Sequence, residues 1–286
     1  NSREVIIPSS LLTDKSTGKP IPARSISWSA DNKKVLIYNN TQRVWRYDTR
    51  GDYWVLNLKD GALRQLGKGM PESSMMFAKF SPDGTRVAYV SNNNIYVEDI
   101  DSGKITQLTK DGSDTIVNGT FDWVYEEEFS CRDGFRWSPD GKHIAYWQSD
   151  TKGTGVFDII NNVDSIYAKV IHFPYPTAGT TNSAVKVGYV SSTGGNTTWI
   201  AIPGDPRNNY LPRMEFIPES DELFIQQLNR PQNTNKVWIA KISDNSLNNI
   251  FTDTDAAWRD TNDNIQWLKD NRYFTWESER SGWRDL

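Results

Sequence analysis

The stretch Trp137-Ser138-Pro139-Asp140-Gly141-Lys142-His143-Ile144-Ala145-Tyr146-Trp147 joins an aromatic residue to an apolar strand through a tight turn. Proline presets the first central position of a type I turn, aspartate suits the second, and glycine takes the left-handed position that closes it. The same unit occurs as Phe80-Ser81-Pro82-Asp83-Gly84 before Val87-Ala88-Tyr89-Val90, and as Trp28-Ser29-Ala30-Asp31-Asn32 before Val35-Leu36-Ile37-Tyr38. Looser copies are Phe216-Ile217-Pro218-Glu219 before Leu223-Phe224-Ile225, and Trp267-Leu268-Lys269-Asp270-Asn271 before Tyr273-Phe274-Thr275-Trp276. The strands are rich in β-branched and aromatic residues, and helix-period stripes are scarce.

Most copies lie about 50 to 60 residues apart, somewhat longer than the usual propeller repeat of about 40 to 50. The interval from Trp137 to Phe216 is longer and holds two more strand-like runs, Ala184–Val190 and Thr198–Ile202, so it has room for an extra hairpin or a hidden blade. Radial repetition of small antiparallel sheets is how a β-propeller manages its sheet edges. The expected fold is therefore all-β, a propeller of about five to six antiparallel blades. An all-β sandwich is the alternative, but a sandwich has no reason to repeat one turn at blade spacing. The chain begins Asn1-Ser2-Arg3-Glu4, which is not a signal peptide, and stops just after a turn-like Ser281-Gly282. Both ends are expected to be cuts, with residues 1–286 forming part of a larger ring.

The 286 residues carry 32 basic and 36 acidic side chains, a net charge of -4, which argues against duplex nucleic acid or an anionic membrane surface as the main partner. Twelve tryptophans and an aromatic content of 12% exclude simple disorder. No apolar run approaches the roughly 18 residues of a membrane-spanning helix. Cys131 is the single cysteine, so no disulfide forms within the chain.

Strand patterning fails at Phe121-Asp122-Trp123-Val124-Tyr125-Glu126-Glu127-Glu128-Phe129. Asp122 suits the cap of a short helical turn beginning at Trp123, with the glutamates near its positive end. Two carboxylates about 5 Å apart repel by roughly 3 kcal/mol at an effective dielectric of 20. Partly buried among aromatics, such a pair needs a cation: an arginine, a metal ion or a ligand ammonium. Full solvation of all three glutamates is the plain alternative. A glycosidase pair sits about 5 Å or more apart across its substrate, which adjacent residues seldom achieve. Calcium wants further oxygen ligands at loop spacing, and none surround the motif.

No Gly-x-Ser-x-Gly elbow is present, and Ser192-Thr193-Gly194-Gly195 reads as a turn. His143 and His172, the two histidines, sit in strand-like stretches and suit packing or edge positions better than base catalysis. One cysteine gives no zinc spacing, and no phosphate-cradling glycine motif occurs. Neither a metal nor a cofactor is expected, and the residues of this chain point to binding rather than catalysis.

The sequence resembles the N-terminal propeller of the dipeptidyl peptidase IV group within the prolyl oligopeptidase family of serine peptidases. Asp122-Trp123-Val124-Tyr125-Glu126-Glu127-Glu128-Phe129 matches that group's signature almost letter for letter. Tyr175-Pro176-Thr177-Ala178-Gly179-Thr180-Thr181-Asn182, Gln227-Leu228-Asn229-Arg230-Pro231-Gln232-Asn233 and Glu277-Ser278-Glu279-Arg280-Ser281-Gly282-Trp283 are similar to further group segments, in the same order. The resemblance implies an eight-bladed ring and a C-terminal α/β-hydrolase domain beyond Leu286 that carries the Ser, Asp and His of a catalytic triad. It implies that Glu127 and Glu128 grip the free α-ammonium of a peptide substrate, with Glu126 a neighbour lacking that role. Trp45-Arg46 looks like the family's Trp-Arg, which assigns Arg46 to a carbonyl near the substrate's N-terminus; a surface arginine paired with Asp48 or Asp52 is the alternative. Trp258-Arg259 offers no secure counterpart to the later-blade pocket residues, and Ser183 stands where proline is frequent.

The implied mechanism is a ruler: two extended residues span roughly 7 Å, so a serine at that reach from the glutamates meets the second peptide bond. The expected partners are a peptide with a free N-terminus and the hydrolase domain of the same protein. A homodimer is left open, and nucleic acid and a membrane span are not expected. Similar bacterial enzymes make the periplasm or cell surface the expected location. The competing reading is a non-enzymatic protein- or glycan-binding propeller, or a pseudo-peptidase without its nucleophile.

Overall fold

The computed structural model describes residues 5–268 and 270–286. They fall into two compact units, one running to Asp111 with Ser192–Gly195, the other Gly112–Ser191 with Asn196–Leu286. In the first unit, β1 (Ser25–Trp28), β2 (Lys34–Val44), β3 (Tyr47–Asn57) and β4 (Leu63–Gln65) pair in chain order as an antiparallel meander. A second meander follows as β5 (Met75–Phe80), β6 (Arg86–Ser91), β7 (Asn94–Asp99) and β8 (Ile105–Gln107), joined to the first through Gly51 and Met75.

The second unit opens with β9 (Ile116–Asn118), a helix α1 (Trp123–Phe129), β10 (Phe135–Trp137) and β11 (His143–Asp150). A separate hairpin of β12 (Val156–Asn161) and β13 (Lys169–Pro174) intervenes before β14 (Ala184–Ser191) and β15 (Thr198–Trp199) complete the sheet β10-β11-β14-β15, with β9 sharing an edge of β11. A four-stranded meander, β16 (Asn209–Phe216), β17 (Glu222–Asn229), β18 (Thr234–Lys241) and β19 (Ser246–Thr254), is followed by the pair β20 (Trp267–Leu268) and β21 (Tyr273–Phe274). The fold is all-β and antiparallel, with α1 the one α-helix among the described residues. The long interval after Trp137 thus holds an extra hairpin and the strands β14 and β15 that extend the third sheet from β11.

The five repeated turns share one register. Trp28 faces Val35, Phe80 faces Val87, Trp137 faces Ile144, Phe216 faces Leu223 and Trp267 faces Phe274, always seven residues on. In the first three, a buried serine does the same work twice. The Ser29, Ser81 and Ser138 hydroxyls donate to Asp31, Asp83 and Asp140 at 2.7, 2.5 and 2.7 Å, and accept the N–H five residues later at 2.9, 3.0 and 2.9 Å. Asn32, Gly84 and Gly141 take the closing left-handed position with φ of 57°, 67° and 69°. The fourth copy has Ile217 in place of the serine, and its positive φ moves back to Glu219, at 57°, as in a type II turn.

These turns deliver inward strands whose side chains form the cores. Tyr89, Val87 and Leu36 belong to the first unit's core, and Trp147, Val187, Met214 and Leu223 to the second's. Full burial of each such side chain contributes roughly 1.5 to 3 kcal/mol. The β12–β13 hairpin is different: Val156, Phe157, Ile159, Ile160, Val170 and Ile171 are all exposed.

Ser81→Ala removes both bonds of the turn device and leaves the partly buried Arg86 N–H without its acceptor. A loss of about 1 to 2 kcal/mol in denaturant unfolding is expected. The removal of Ser220, which lies in the copy that already lacks the turn serine, should cost less.

Candidate functional site

Helix α1 is seven residues long, too short to persist in water by itself, so its caps and its packing must hold it. Asp122 is the N-cap: its backbone is extended, and one carboxyl oxygen accepts the Tyr125 N–H at 3.0 Å. Its other oxygen accepts from the Ser183 hydroxyl at 2.5 Å. Burial pushes the Asp122 carboxyl above its usual range, opposed by the Ser183 hydroxyl and the Tyr125 and Val124 N–H groups. Ser130 ends the helix in the left-handed conformation at φ 55°, and the Cys131 N–H closes back on the Tyr125 carbonyl at 2.9 Å.

The inner face of α1 is aromatic. Tyr125 stacks on Phe121 with ring centres 5.5 Å apart, and Phe129 packs on Tyr210 at 5.0 Å. The outward Trp123 packs on Tyr175 at 4.3 Å. Strand β16 supplies the polar part of the seat. Its pairing with β17 shifts register between Tyr210 and Arg213, around Pro212, which has no N–H to give a ladder. The Leu211 N–H donates instead to the Tyr125 hydroxyl at 2.9 Å, and the Leu211 carbonyl accepts from the Trp147 indole at 2.8 Å. Arg213 donates to the Phe129 carbonyl at 2.9 Å, where a cation suits the helix C-terminus. Cys131 Sγ donates to the Pro212 carbonyl at 3.1 Å, and burial pushes its thiol up to about 11, so it stays a packed thiol.

The three glutamates have three environments. Glu126 is buried, with 6% of its side chain exposed, and its Oε1 lies 3.6 Å from Arg132 Nε, beyond hydrogen-bond reach. Burial pushes its carboxyl up to about 7; the Arg132 guanidinium opposes this and the Glu127 charge adds to it. Glu127 is half-buried and Glu128 exposed, and Glu128 has no hydrogen-bond or ion-pair partner among the described residues. The three carboxylates thus differ in burial, with Glu126 buried, Glu127 half-buried and Glu128 exposed. Arg46 lies in the other unit, exposed in the two-residue turn Trp45-Arg46 that links β2 and β3. Trp45 has φ 54° there, the positive angle that a type II′ turn requires at its first central position. Of the two carboxylates weighed as partners for Arg46, Asp48 pairs with Arg24 at 3.5 Å and Asp52 accepts from the Ser73 N–H at 2.8 Å.

A cavity of about 720 Å³ lies beside the C-terminal end of α1, lined by Arg132, Arg136, Arg213, Trp147, Trp267 and Asn262 among others. Glu127 and Glu128 are not among its lining residues. Arg136 pairs with Glu215 at 2.7 Å and Arg213 with Asp263 at 2.5 Å, so these cations serve the scaffold. The histidines follow suit: His143 packs edge-on against Tyr189, and exposed His172 pairs with Asp158 across the hairpin. Among the described residues no three metal-ligating side chains cluster.

Residues 29–286 match the family model of the dipeptidyl peptidase IV N-terminal region. The chain belongs to this family. It is similar to dipeptidyl aminopeptidase B of Saccharomyces cerevisiae, 32% identical over 68% of this chain and 24% of that protein. It is also similar to the inactive dipeptidyl peptidase 10 of Mus musculus, 29% identical over 87% of this chain and 32% of that protein. The crystal structure of Porphyromonas gingivalis dipeptidyl peptidase 4 superimposes with a TM-score of 0.85, at 26% identity, over 96% of this chain and 38% of that one. A Bacteroides ovatus structure, 19% identical with a TM-score of 0.71, shares the fold. The chain spans between 24% and 32% of the length of these curated relatives.

Sequence reasoning placed Asp122 and the helical turn correctly, but it missed Ser183, Arg132 and the Tyr125–Leu211 bond. In the sequence Ser183 is only a departure from proline; in the structure its hydroxyl secures the helix cap. The one signal for the Leu211 tie was Pro212, which cannot serve a regular strand.

Tyr125→Phe leaves the Leu211 N–H without its acceptor, and a loss of about 1 to 3 kcal/mol in denaturant unfolding is expected. Glu126 gives a pH signature. Its folded value of about 7 lies above the ordinary 4.5, so the folded chain holds a proton that the unfolded chain releases between those limits. Its contribution to stability is greatest below pH 4.5 and declines as pH rises to about 7. Melting temperatures measured from pH 5 to 8 should fall in the wild type, and Glu126→Gln should flatten that slope.

Proposed function

We propose that this region is the substrate-recognition propeller of a serine dipeptidyl peptidase, in which Glu127 and Glu128 hold the free α-ammonium of a peptide. The observation that carries this reading is the sorting of the glutamates. Glu126 is buried beside Arg132, whereas Glu127 is half-buried and Glu128 exposed on a helix fixed at both caps. Two carboxylates on a rigid seat present charge-assisted acceptors to an ammonium with little reorganisation on binding. Arg46 is assigned to a carbonyl near the same terminus. The chemistry belongs to an α/β-hydrolase domain of the same protein, whose triad and oxyanion hole do the bond cleavage. The ammonium anchor then acts as a ruler, and the second peptide bond, roughly 7 Å along an extended chain, meets the nucleophile. Peptides with blocked N-termini are excluded, and the periplasm or cell surface is the proposed location.

A second reading, a binding propeller whose parent has lost its nucleophile, is favoured by one finding: the mouse relative is named an inactive dipeptidyl peptidase. Turnover of a dipeptidyl chromogenic substrate by the full-length protein separates the two.

In that full-length protein, Glu127→Gln and Glu128→Gln should each lower kcat/KM for free-N-terminus substrates by roughly 10- to 100-fold, the worth of a hydrogen bond to a charged group. N-acetylated substrates should be inert with all forms. Unchanged kinetics in both variants would remove the ammonium role. Because a free α-amino group titrates at about 7.7 to 8.0, KM should rise as pH passes through that range.

A further inference from the structure

We propose that Glu126 is the proton-exchanging partner of the ammonium site: capture of a peptide N-terminus by Glu127 and Glu128 expels a proton from Glu126 to solvent. This rests on the ammonium reading above and adds to it a residue with no direct ligand contact. The geometry sets two opposing influences on this carboxyl. Its side chain is 6% exposed, which favours the neutral acid, while Arg132 Nε stands 3.6 Å from Oε1, which favours the anion. Oε1 accepts no hydrogen bond, so the Arg132 guanidinium acts on it mainly through its charge. The charged groups that act on it are Arg132, from the segment following the helix, and Glu127, its neighbour on the helix.

Glu127 is the link. Its negative charge disfavours ionisation of Glu126, and burial works in the same direction. An ammonium bound at Glu127 and Glu128 cancels much of that repulsion, so the acid dissociates to a carboxylate that pairs with Arg132. One O–H bond breaks, the electron pair stays on the carboxylate, and the proton leaves to buffer. By reciprocity, ionised Glu126 strengthens ammonium binding, because the two charges attract through the same short path. Glu126 is thus a positioning residue that adjusts the affinity of the pair across the neutral range.

The test is calorimetric titration of the full-length protein with a non-hydrolysable dipeptide analogue bearing a free N-terminus, in buffers of different ionisation enthalpy. Near pH 6.5 the ligand amine is already charged, so a release of about half a proton per ligand is expected to come from the protein. Glu126→Gln should bind the analogue without release. Arg132→Gln removes the cation that favours the anion and should move the release window to higher pH, which keeps the test open if Glu126→Gln does not fold. Binding by the wild type without proton release, or the same release from Glu126→Gln, would overturn the proposal. Failure of the ammonium reading looks different: the N-acetylated analogue would then bind as well as the free one.

Discussion

The structure around the glutamates depends on the backbone of one residue, Leu211. Pro212 interrupts the ladder of an edge strand, and the freed N–H and carbonyl of Leu211 would each be costly if left buried and unpaired. Tyr125 from the helix takes the N–H and Trp147 from the neighbouring sheet supplies the carbonyl's donor. A defect in one sheet thereby becomes the joint to which a helix and a second sheet are fastened. Arg213, two residues on, reaches the Phe129 carbonyl and completes the attachment at the helix's far end. A helix of seven residues gains from this what its own hydrogen bonds cannot supply.

Once the helix is fixed, rotation about its axis decides what three identical residues do. Successive positions differ by about 100°, and Tyr125 and Phe129 define the buried side. Glu126 follows Tyr125 directly and is carried under the helix with it, while Glu128 emerges into solvent. Burial raises the proton affinity of the first, and exposure leaves the last available to a ligand. The same sequence letter is therefore a buried acid of the scaffold at one position and a candidate ligand at another.

The turn units were legible because they depend on local chemistry. Aromatic, Ser, Pro, Asp and Gly at fixed offsets specify a turn, and the register of seven follows wherever the turn forms. Even the looser Phe216 copy keeps that register with a different turn type, because the pairing of Phe216 and Leu223 survives the change. The signature at Asp122 was legible as a cap for the same reason. The rotational phase of the glutamates was not, since it is set by Tyr210, Leu211 and Trp147, residues distant in sequence. Nor does the sequence match Arg132 to Glu126, since Glu127 and Glu128 stand nearer to it along the chain.

The helix start itself is a non-local event. Asp122 caps Tyr125 within one turn, but it is held by Ser183, 61 residues away. Between the two lie the third sheet's central strand and the whole β12–β13 hairpin, so the bond closes a long excursion. Closure of a loop this long costs little more than closure of one half its length, which lets the chain insert a hairpin without losing the cap. The hairpin's base is tied into the same circuit: Tyr175 touches Trp123 on the helix and also Phe157 and Phe173 on the two hairpin strands. A two-stranded hairpin is marginal alone in water, and a seven-residue helix is no better placed. Packed through Tyr175 and closed by Ser183, the helix and the base of the hairpin support each other, and the glutamates take their position from that mutual support.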